Sequence, residues 1–140
     1  MNKTIIIAEA GVNHNGDIET AKRLIDVASD AGVDYVKFQT FKAERLVSPS
    51  AQKAKYQIKN DTSNDDSQLN MLKKLELSDA DHKELISYCK SKNISFFSTA
   101  FDDEGISYLS SLNFDMFKIP SGELTNYPYL KAIAKTGLPV

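Results

Sequence analysis

Short apolar runs alternate with longer stretches of helical spacing along this chain. The short runs predict strands, because four to six consecutive apolar residues suit a strand buried on both faces; they lie at residues 5–8, 33–38, 94–97 and 116–119. Apolar residues spaced three and four apart predict helices between them, over residues 18–31, 79–91, 104–112 and 128–135. The hydrophobic period therefore switches repeatedly between strand and helix.

Polar residues mark the expected ends of two of these helices. Asp17 precedes the first helix as an N-cap, and Gly32 ends it. The run Ser78-Asp79-Ala80-Asp81 resembles a capping box and opens the second helix. Residues 42–66 instead form a long polar segment. A loop of that length inside a compact domain is usually functional or disordered.

The alternation of strands and helices predicts an α/β fold with parallel strands joined by right-handed crossovers. Either a doubly wound sheet or a (β/α) barrel satisfies that pattern. The chain holds about four strand–helix units, and residues 138–140 look like the start of a fifth strand. Since an eight-stranded barrel needs roughly 250 residues, we expect residues 1–140 to be the N-terminal part of one barrel domain.

Polar groups follow each apolar run where the strand should end. They are Glu9; Lys37, Gln39 and Thr40; Ser98 and Thr99; and Lys118, Ser121 and Glu123. Ligands gather at the carboxyl ends of parallel strands in both candidate folds. Ammonium, hydroxyl and carboxylate groups at one rim predict a site for an anionic, polar substrate.

Composition narrows the class of partner. The chain has 140 residues, 41% of them hydrophobic, which is enough for one core. A net charge of −2 gives no electrostatic reason to expect nucleic acid or a membrane surface. Cys89 is the single cysteine and lies in an apolar helical pattern, so we expect it in the core. The first apolar run is too short for a signal peptide, which favours a cytoplasmic protein.

Four motifs, in order along essentially the whole chain, resemble the sialic acid synthase family. They are Ala8-Glu9-Ala10-Gly11-Val12-Asn13-His14-Asn15-Gly16, Val36-Lys37-Phe38-Gln39-Thr40, Phe97-Ser98-Thr99-Ala100-Phe101-Asp102 and Lys118-Ile119-Pro120-Ser121-Gly122-Glu123. Residues 53–60 and 67–69 also resemble the bacterial N-acetylneuraminate and legionaminate branches.

The resemblance implies a TIM-type (β/α)8 barrel, of which this chain supplies about the first four units. It implies a synthase that joins phosphoenolpyruvate to N-acetylmannosamine or a related N-acetylated amino sugar, giving a nine-carbon α-keto acid and phosphate. A divalent metal, Mn²⁺ or Mg²⁺, would polarise the sugar aldehyde. The family's metal-binding histidines and its C-terminal antifreeze-like domain would lie after residue 140. A homodimer is expected, and residues 1–140 alone are expected to be inactive.

The resemblance also assigns roles to individual residues. Glu9 and Lys118 would be catalytic, with Glu9 orienting the attacking water or the metal's surroundings. The groups expected to bind phosphoenolpyruvate are Lys37, Lys118, Thr99 and Ser121. The groups expected to contact the amino sugar are Gln39, Glu123 and, on a looser alignment, Asn60. The plainer alternatives are solvated lysines, turn or helix capping by Thr99 and Ser121, a first-turn acid at Glu123 and an ion pair at Glu9.

Neither histidine is assigned to a metal. His14 lies beside Asn13, Asn15 and Gly16, so we expect it to shape a turn. His82 lies between charged neighbours on a helix flank, and we expect it to be exposed to solvent.

Two other classes of protein remain open. One is another enzyme that uses phosphoenolpyruvate or pyruvate, either an aldol-type synthase or a Schiff-base aldolase with a lysine of lowered pKa. The other is a non-catalytic half-barrel module that binds a sugar or a protein partner. Fold analogy alone does not choose among them, and the ordered motifs favour the synthase.

Overall fold

A parallel three-stranded sheet forms the centre of the chain. The computed structural model describes residues 4–53 and 67–140. Strands β1 (Ile7–Gly11), β2 (Tyr35–Thr40) and β3 (Ser95–Ala100) lie side by side in chain order, all parallel. This order confirms the α/β class, because each strand returns to the sheet through a helical crossover.

Two of the helices begin at the polar caps expected from the sequence, Asp17 and Ser78. The helices are α1 (Ile18–Asp30), α2 (Ala43–Leu46), α3 (Gln68–Lys73), α4 (Asp79–Ser91), α5 (Asp103–Ser111) and α6 (Tyr127–Ala134), with a 3₁₀ turn at Ser121–Glu123. The Asp17 side chain accepts a hydrogen bond from the Thr20 amide at 2.9 Å. Ser78 and Asp81 form the full capping box of α4. Among the described residues, no helix is long and apolar enough to cross a membrane.

Two buried clusters hold the helices to the sheet. Helices α1 and α4 pack on one face of the sheet, where the first cluster includes Ile25, Phe38, Leu85 and Cys89. The second cluster joins β3 to α5 and α6 and includes Ala100, Ile106, Leu109, Phe117, Tyr129 and Ile133. The Tyr129 hydroxyl donates to the Ala100 carbonyl at 2.8 Å, which satisfies it within this cluster. The carboxyl end of β3 is therefore fixed from the helix side.

The structure corrects two expectations about the elements. Residues 116–119 form no strand within the described part of the chain. Phe117 is buried, and its amide donates to the Pro139 carbonyl at 2.8 Å. One such bond does not make a ladder, and Pro120 and Pro139 lack an amide to extend it. The segment 42–66 is also less irregular than expected, since it contains α2; its residues 54–66 lie outside the described residues.

The turn after β1 is held in place by a close backbone contact. Gly16 has φ of +78°, and a Cβ there would lie 2.0 Å from the Lys74 carbonyl oxygen. The Gly16 amide donates to His14 Nδ1 at 3.0 Å. His14 therefore shapes this turn, as expected from the sequence, and is fully buried.

Candidate active site at the carboxyl ends of the strands

Strand alternation separates two sets of side chains on β2. Val36, Phe38 and Thr40 are buried towards the helices, while Lys37 and Gln39 point to the opposite face. The register then places Lys37 beside Glu9 of β1 and Gln39 beside Thr99 of β3. Four predicted site residues thus share one face because of the period of the strand and the parallel register.

These side chains line a single open concavity of ≈ 410 Å³. Its walls also include the residues that follow each strand and the segment after α5. The full lining is Glu9, Gly11, Val12, Asn13, Lys37, Gln39, Thr99, Phe101, Lys118, Pro120 and Ser121. Six of the eight predicted site residues are therefore brought together at the carboxyl ends of the strands.

Glu9 and Lys37 form an ion pair across neighbouring strands. The Lys37 Nζ lies 2.5 Å from the Glu9 Oε2; the lysine side chain is 12% exposed and the carboxylate 54% exposed. Gly11 leaves room for this pair, because a Cβ at that position would lie 3.1 Å from Glu9 Oε1 and 3.6 Å from Gln39 Nε2. The carboxylate holds the lysine head group at the edge of the concavity, where an anion can reach it.

Thr99 presents a buried hydroxyl without a hydrogen-bond partner. The residue is 2% exposed, and its Oγ1 has no partner in the described chain. A buried polar atom left unpaired costs about 1–3 kcal/mol. Thr99 does not cap a helix or a turn, so the plainer alternative for this residue is wrong. Its hydroxyl is available to a ligand in the concavity.

Lys118 and Ser121 reach the concavity from the irregular segment after α5. Both residues are exposed. The Lys118 Nζ donates to the Ile119 carbonyl at 2.5 Å, and Ser121 opens the 3₁₀ turn. Lys118 and Lys37 both line the concavity, so the described residues give the site two cationic groups.

Two predicted residues are not brought into the lining. Glu123 lies in the 3₁₀ turn and accepts a hydrogen bond from Asn126 Nδ2 at 2.6 Å. Asn60 lies outside the described residues. The sugar-binding roles of Glu123 and Asn60 remain predictions.

Sequence reasoning missed five residues of the lining, one of which is Pro120 in the segment after α5. The other four lie at strand ends: Gly11 is the last residue of β1, Val12 and Asn13 follow it, and Phe101 follows β3. The rule that placed Lys37 and Thr99 applies equally to them, because residues just past a parallel strand face the same rim. The available signal was position, since an apolar valine or phenylalanine carries no chemistry of its own.

The prediction for His82 was wrong. The residue is 1% exposed, and desolvation by burial lowers the pKa of its imidazole. Helix α4 turns the His82 side chain towards the sheet, whereas its charged neighbour Lys83 is exposed to solvent. His14 is likewise buried, and its pKa is lowered by desolvation. Among the described residues, no group of three or more histidine, cysteine, aspartate or glutamate side chains could hold a metal ion.

The fold and site define an α/β protein with a parallel sheet whose strand ends carry a site suited to a small, polar, anionic ligand. The NeuB family model matches residues 24–140. The chain belongs to the NeuB family, and the resemblance to the sialic acid synthases is thereby confirmed.

Several characterised relatives match nearly the whole chain. It is 59% identical, over 96% of its length, to N,N'-diacetyllegionaminic acid synthase from Campylobacter jejuni, and 52% identical over 96% to the synthase of that name from Legionella pneumophila. Mouse N-acetylneuraminate-9-phosphate synthase is 37% identical over 96% of the chain. The chain spans 40%, 38% and 37% of these proteins, respectively.

A solved structure has the same fold. The N-acetylneuraminic acid synthetase of Leptospira borgpetersenii, crystallised with citrate, superposes with a TM-score of 0.79 at 33% identity. The match covers 98% of this chain and 43% of that one. The relatives are synthases of sialic and legionaminic acids, so this chain is part of a family of nonulosonate synthases.

Proposed function

We propose that the natural-length protein containing this chain condenses phosphoenolpyruvate with an N-acetylated amino sugar and water. The products would be a nine-carbon α-keto sugar acid and phosphate. The observation that carries this proposal is the convergence of Lys37, Thr99 and Lys118 in one concavity with Gln39 and Glu9. Lysines and hydroxyls suit the phosphate and carboxylate of phosphoenolpyruvate, while an amide and a carboxylate suit sugar hydroxyls.

The roles of the binding residues follow from their positions. The ammonium groups of Lys37 and Lys118 would bind the anionic groups of phosphoenolpyruvate, and the Ser121 hydroxyl would donate a further hydrogen bond. The Thr99 hydroxyl, which lacks a protein partner, would donate to one phosphate oxygen. Holding the reactants in one orientation on strand ends lowers the entropic part of the barrier.

The proposed reaction needs groups beside the sugar acceptor and the attacking water, and we assign Gln39 and Glu9 to these roles. C3 of phosphoenolpyruvate would form a bond to the sugar's aldehyde carbon, whose oxygen takes up a proton. Water would then add at C2, losing a proton, and the bond from C2 to the phosphate oxygen would break. Glu9, half-exposed beside Lys37, would orient that water or accept its proton. Gln39 would fix the sugar, with Glu123 and Asn60 as further proposed contacts.

The relatives' names favour a particular acceptor. The two bacterial relatives at 59% and 52% identity are named for a product with two acetyl groups. Phosphoenolpyruvate contributes three carbons and no nitrogen, so both acetamido groups must come from the sugar. We therefore favour 2,4-diacetamido-2,4,6-trideoxymannose as acceptor over N-acetylmannosamine or its 6-phosphate.

The proposed divalent metal does not fit the described residues as a ligand set. They contain no cluster of three or more histidine, cysteine, aspartate or glutamate side chains that could hold it. The proposal therefore assigns the ligands of Mn²⁺ or Mg²⁺ to other parts of the natural-length protein, and no step above depends on the metal.

The proposal includes a (β/α)8 barrel of which residues 1–140 form the N-terminal part. Three parallel strands in chain order and the match to 43% of the Leptospira synthetase support it. A homodimer in the cytoplasm belongs to the same proposal. Sedimentation of the natural-length protein at two concentrations would test the dimer.

Phosphate release tests the proposed reaction. Natural-length protein loaded with Mn²⁺ would be given phosphoenolpyruvate and, separately, each of the three sugars. We expect release that depends on the diacetamido sugar. Release with none of them would overturn the proposal. Borohydride trapping of pyruvate on a lysine would instead indicate a Schiff-base aldolase.

Lys37→Met should weaken the use of phosphoenolpyruvate. Hydrogen bonds to charged groups contribute about 1.5–3 kcal/mol, so we expect kcat/KM to fall about 10- to 100-fold. Lys83→Met, which removes an exposed lysine of α4, is the matched control and should keep the parent value. Equal kinetics for the two variants would remove Lys37 from the site.

A further inference from the structure

Three buried polar side chains connect the sheet to helix α4 on the side away from the concavity. Thr40 is 8% exposed, and Ser98 and His82 are each 1% exposed. Thr40 Oγ1 lies 2.7 Å from His82 Nε2 and 2.6 Å from Ser98 Oγ. His82 Nδ1 lies 2.9 Å from the Ser78 carbonyl oxygen. We call these three side chains the hydroxyl–imidazole chain. Thr40 and His82 also line a cavity of ≈ 270 Å³, whose other walls include Lys42, Asp79, Asp102 and Glu104.

The partners fix the direction of the hydrogen bonds. The Ser78 carbonyl can only accept, so His82 Nδ1 must carry a proton and donate. In the neutral ring Nε2 then accepts from Thr40, whose single proton is used, and Ser98 donates to Thr40. A proton on Nε2 would reverse both bonds and place a positive charge on a buried ring. The observed arrangement therefore suits a neutral imidazole.

The charged and titratable groups around His82 act in both directions. Burial lowers the pKa of its imidazole, and Lys42 lowers it further, while Asp79 and Asp81 raise it. His14 and Tyr108 also lie close to His82, the Tyr108 ring at 5.3 Å between ring centres. Asp102, the N-cap of α5, and Glu104 of α5 line the same cavity as His82. Burial outweighs the carboxylates of Asp79 and Asp81 because they lie at the exposed start of α4.

The hydroxyl–imidazole chain is adjacent to two residues of the concavity. Thr40 follows Gln39 on β2, and Ser98 precedes Thr99 on β3. Gln39 and Thr99 are direct partners in the register and face the concavity. The hydroxyls of Thr40 and Ser98 therefore hold, from behind, the strand ends that carry both groups.

We propose that His82 is a positioning residue, which with Thr40 and Ser98 fixes the carboxyl ends of β2 and β3 so that Gln39 and Thr99 face one ligand. The kinetic consequence rests on the proposed function. The structural consequence does not, since the hydrogen bonds of Thr40, Ser98 and His82 hold the strand ends whatever the ligand. Because only a neutral ring accepts from Thr40, the positioning is lost in acid.

Paired variants of His82 in the natural-length protein test the kinetic consequence. His82→Leu removes the acceptor but fills the space, whereas His82→Gln can offer its Oε1 to Thr40. We expect the Leu variant to raise the KM of both substrates about three- to tenfold, as for the loss of one or two hydrogen bonds, with kcat less affected. The Gln variant should restore most of the loss. Because burial lowers the pKa of His82, the KM of the parent should be unchanged at the ordinary histidine pKa of about 6.5 and rise only at lower pH, while that of the Gln variant stays level throughout.

Ile86→Ala is the control for a general loss of packing, because Ile86 lies on the same helix and packs on the same cluster but takes no part in the hydrogen bonds of His82, Thr40 and Ser98. It should lower thermal stability and leave both KM values unchanged. An Ile86→Ala variant with the KM changes of His82→Leu would overturn the proposal, and so would a Leu variant with parent KM values.

Amide hydrogen exchange tests the positioning without any activity. We expect His82→Leu to speed exchange at Gln39, Thr40, Thr99 and Ala100 relative to the amides of Tyr35 and Val36, with Ile86→Ala showing no such local change. Unchanged exchange at the strand ends would refute the positioning role. If the parent releases no phosphate, the proposed function fails alone, and the exchange result still decides this inference.

Discussion

Buried threonine hydroxyls on the two faces of the sheet differ in whether they have a hydrogen-bond partner. Towards the helices, the Thr40 hydroxyl is bonded to His82 and Ser98. Towards the concavity, the equally buried Thr99 hydroxyl has no partner. Aromatic packing, with Phe38 stacked on Phe96 at 5.4 Å between ring centres, fills the helix face, whereas Glu9 and Lys37 occupy the other.

The difference separates stability from recognition. On the helix face, the apolar cluster and the hydrogen bonds of Thr40, Ser98 and His82 contribute to the free energy of folding. Buried polar atoms on that side that have no partner among the described residues include His14 Nε2 and the Tyr108 hydroxyl. On the site face, charged and hydroxyl groups are held in place but left available, which is expected where a ligand completes the bonding. Substitutions on the two faces should therefore change different measured quantities.

The largest expected effect is the loss of stability in Phe38→Ala. Phe38 is fully buried between α1, α4 and the ring of Phe96. Removing such a ring from a core costs about 3–5 kcal/mol. Urea denaturation of the natural-length protein should show a lower midpoint, and Gln39→Ala, its neighbour on the other face, should change the midpoint far less. Equal midpoint shifts would abolish the distinction between the faces.

A smaller effect should distinguish the two threonines. Thr99→Val removes an unpartnered hydroxyl, so stability should be unchanged or slightly raised. The value of kcat/KM for phosphoenolpyruvate should fall, by an amount that corresponds to about 1.5–3 kcal/mol in activation free energy. Thr40→Val leaves His82 Nε2 without its donor, so stability should fall by about 1–3 kcal/mol. Thermal melts and steady-state kinetics on both variants measure each quantity. A stability loss in Thr99→Val would show that its hydroxyl is satisfied within the protein.

The sequence predicted β1, β2 and β3, the helices α1, α4, α5 and α6, and six of the residues that line the concavity, for a physical reason. Caps such as Asp17 and Ser78 are local, and the two-residue period of a strand assigns Lys37 and Gln39 to one face without knowledge of the neighbours. The parallel rule then brings Glu9 and Thr99 alongside them. These inferences need only the strand order.

Features that depend on contacts distant in sequence were not predictable in this way. His82 looked exposed among charged neighbours, and only the approach of Thr40, 42 positions away, shows that it is buried and bonded. Residues 116–119 have the composition of a strand, but a ladder needs neighbouring backbone that no local pattern reveals. The missing partner of Thr99 is likewise visible only once every group around it has been placed.

The smallest expected effect is at Cys89, which tests how closed the helix face is. Its side chain is fully buried in the cluster between α1, α4 and the sheet, and burial raises the pKa of its thiol to about 12. Since the thiolate is the reactive form, native protein at pH 8 should leave Cys89 unmodified by iodoacetamide over the time in which unfolded protein reacts completely. Peptide mapping by mass spectrometry follows this cysteine alone. Rapid labelling in the native state would mean that the helix face opens readily to solvent. The two faces would then differ in the chemistry of their side chains but not in their access to solvent.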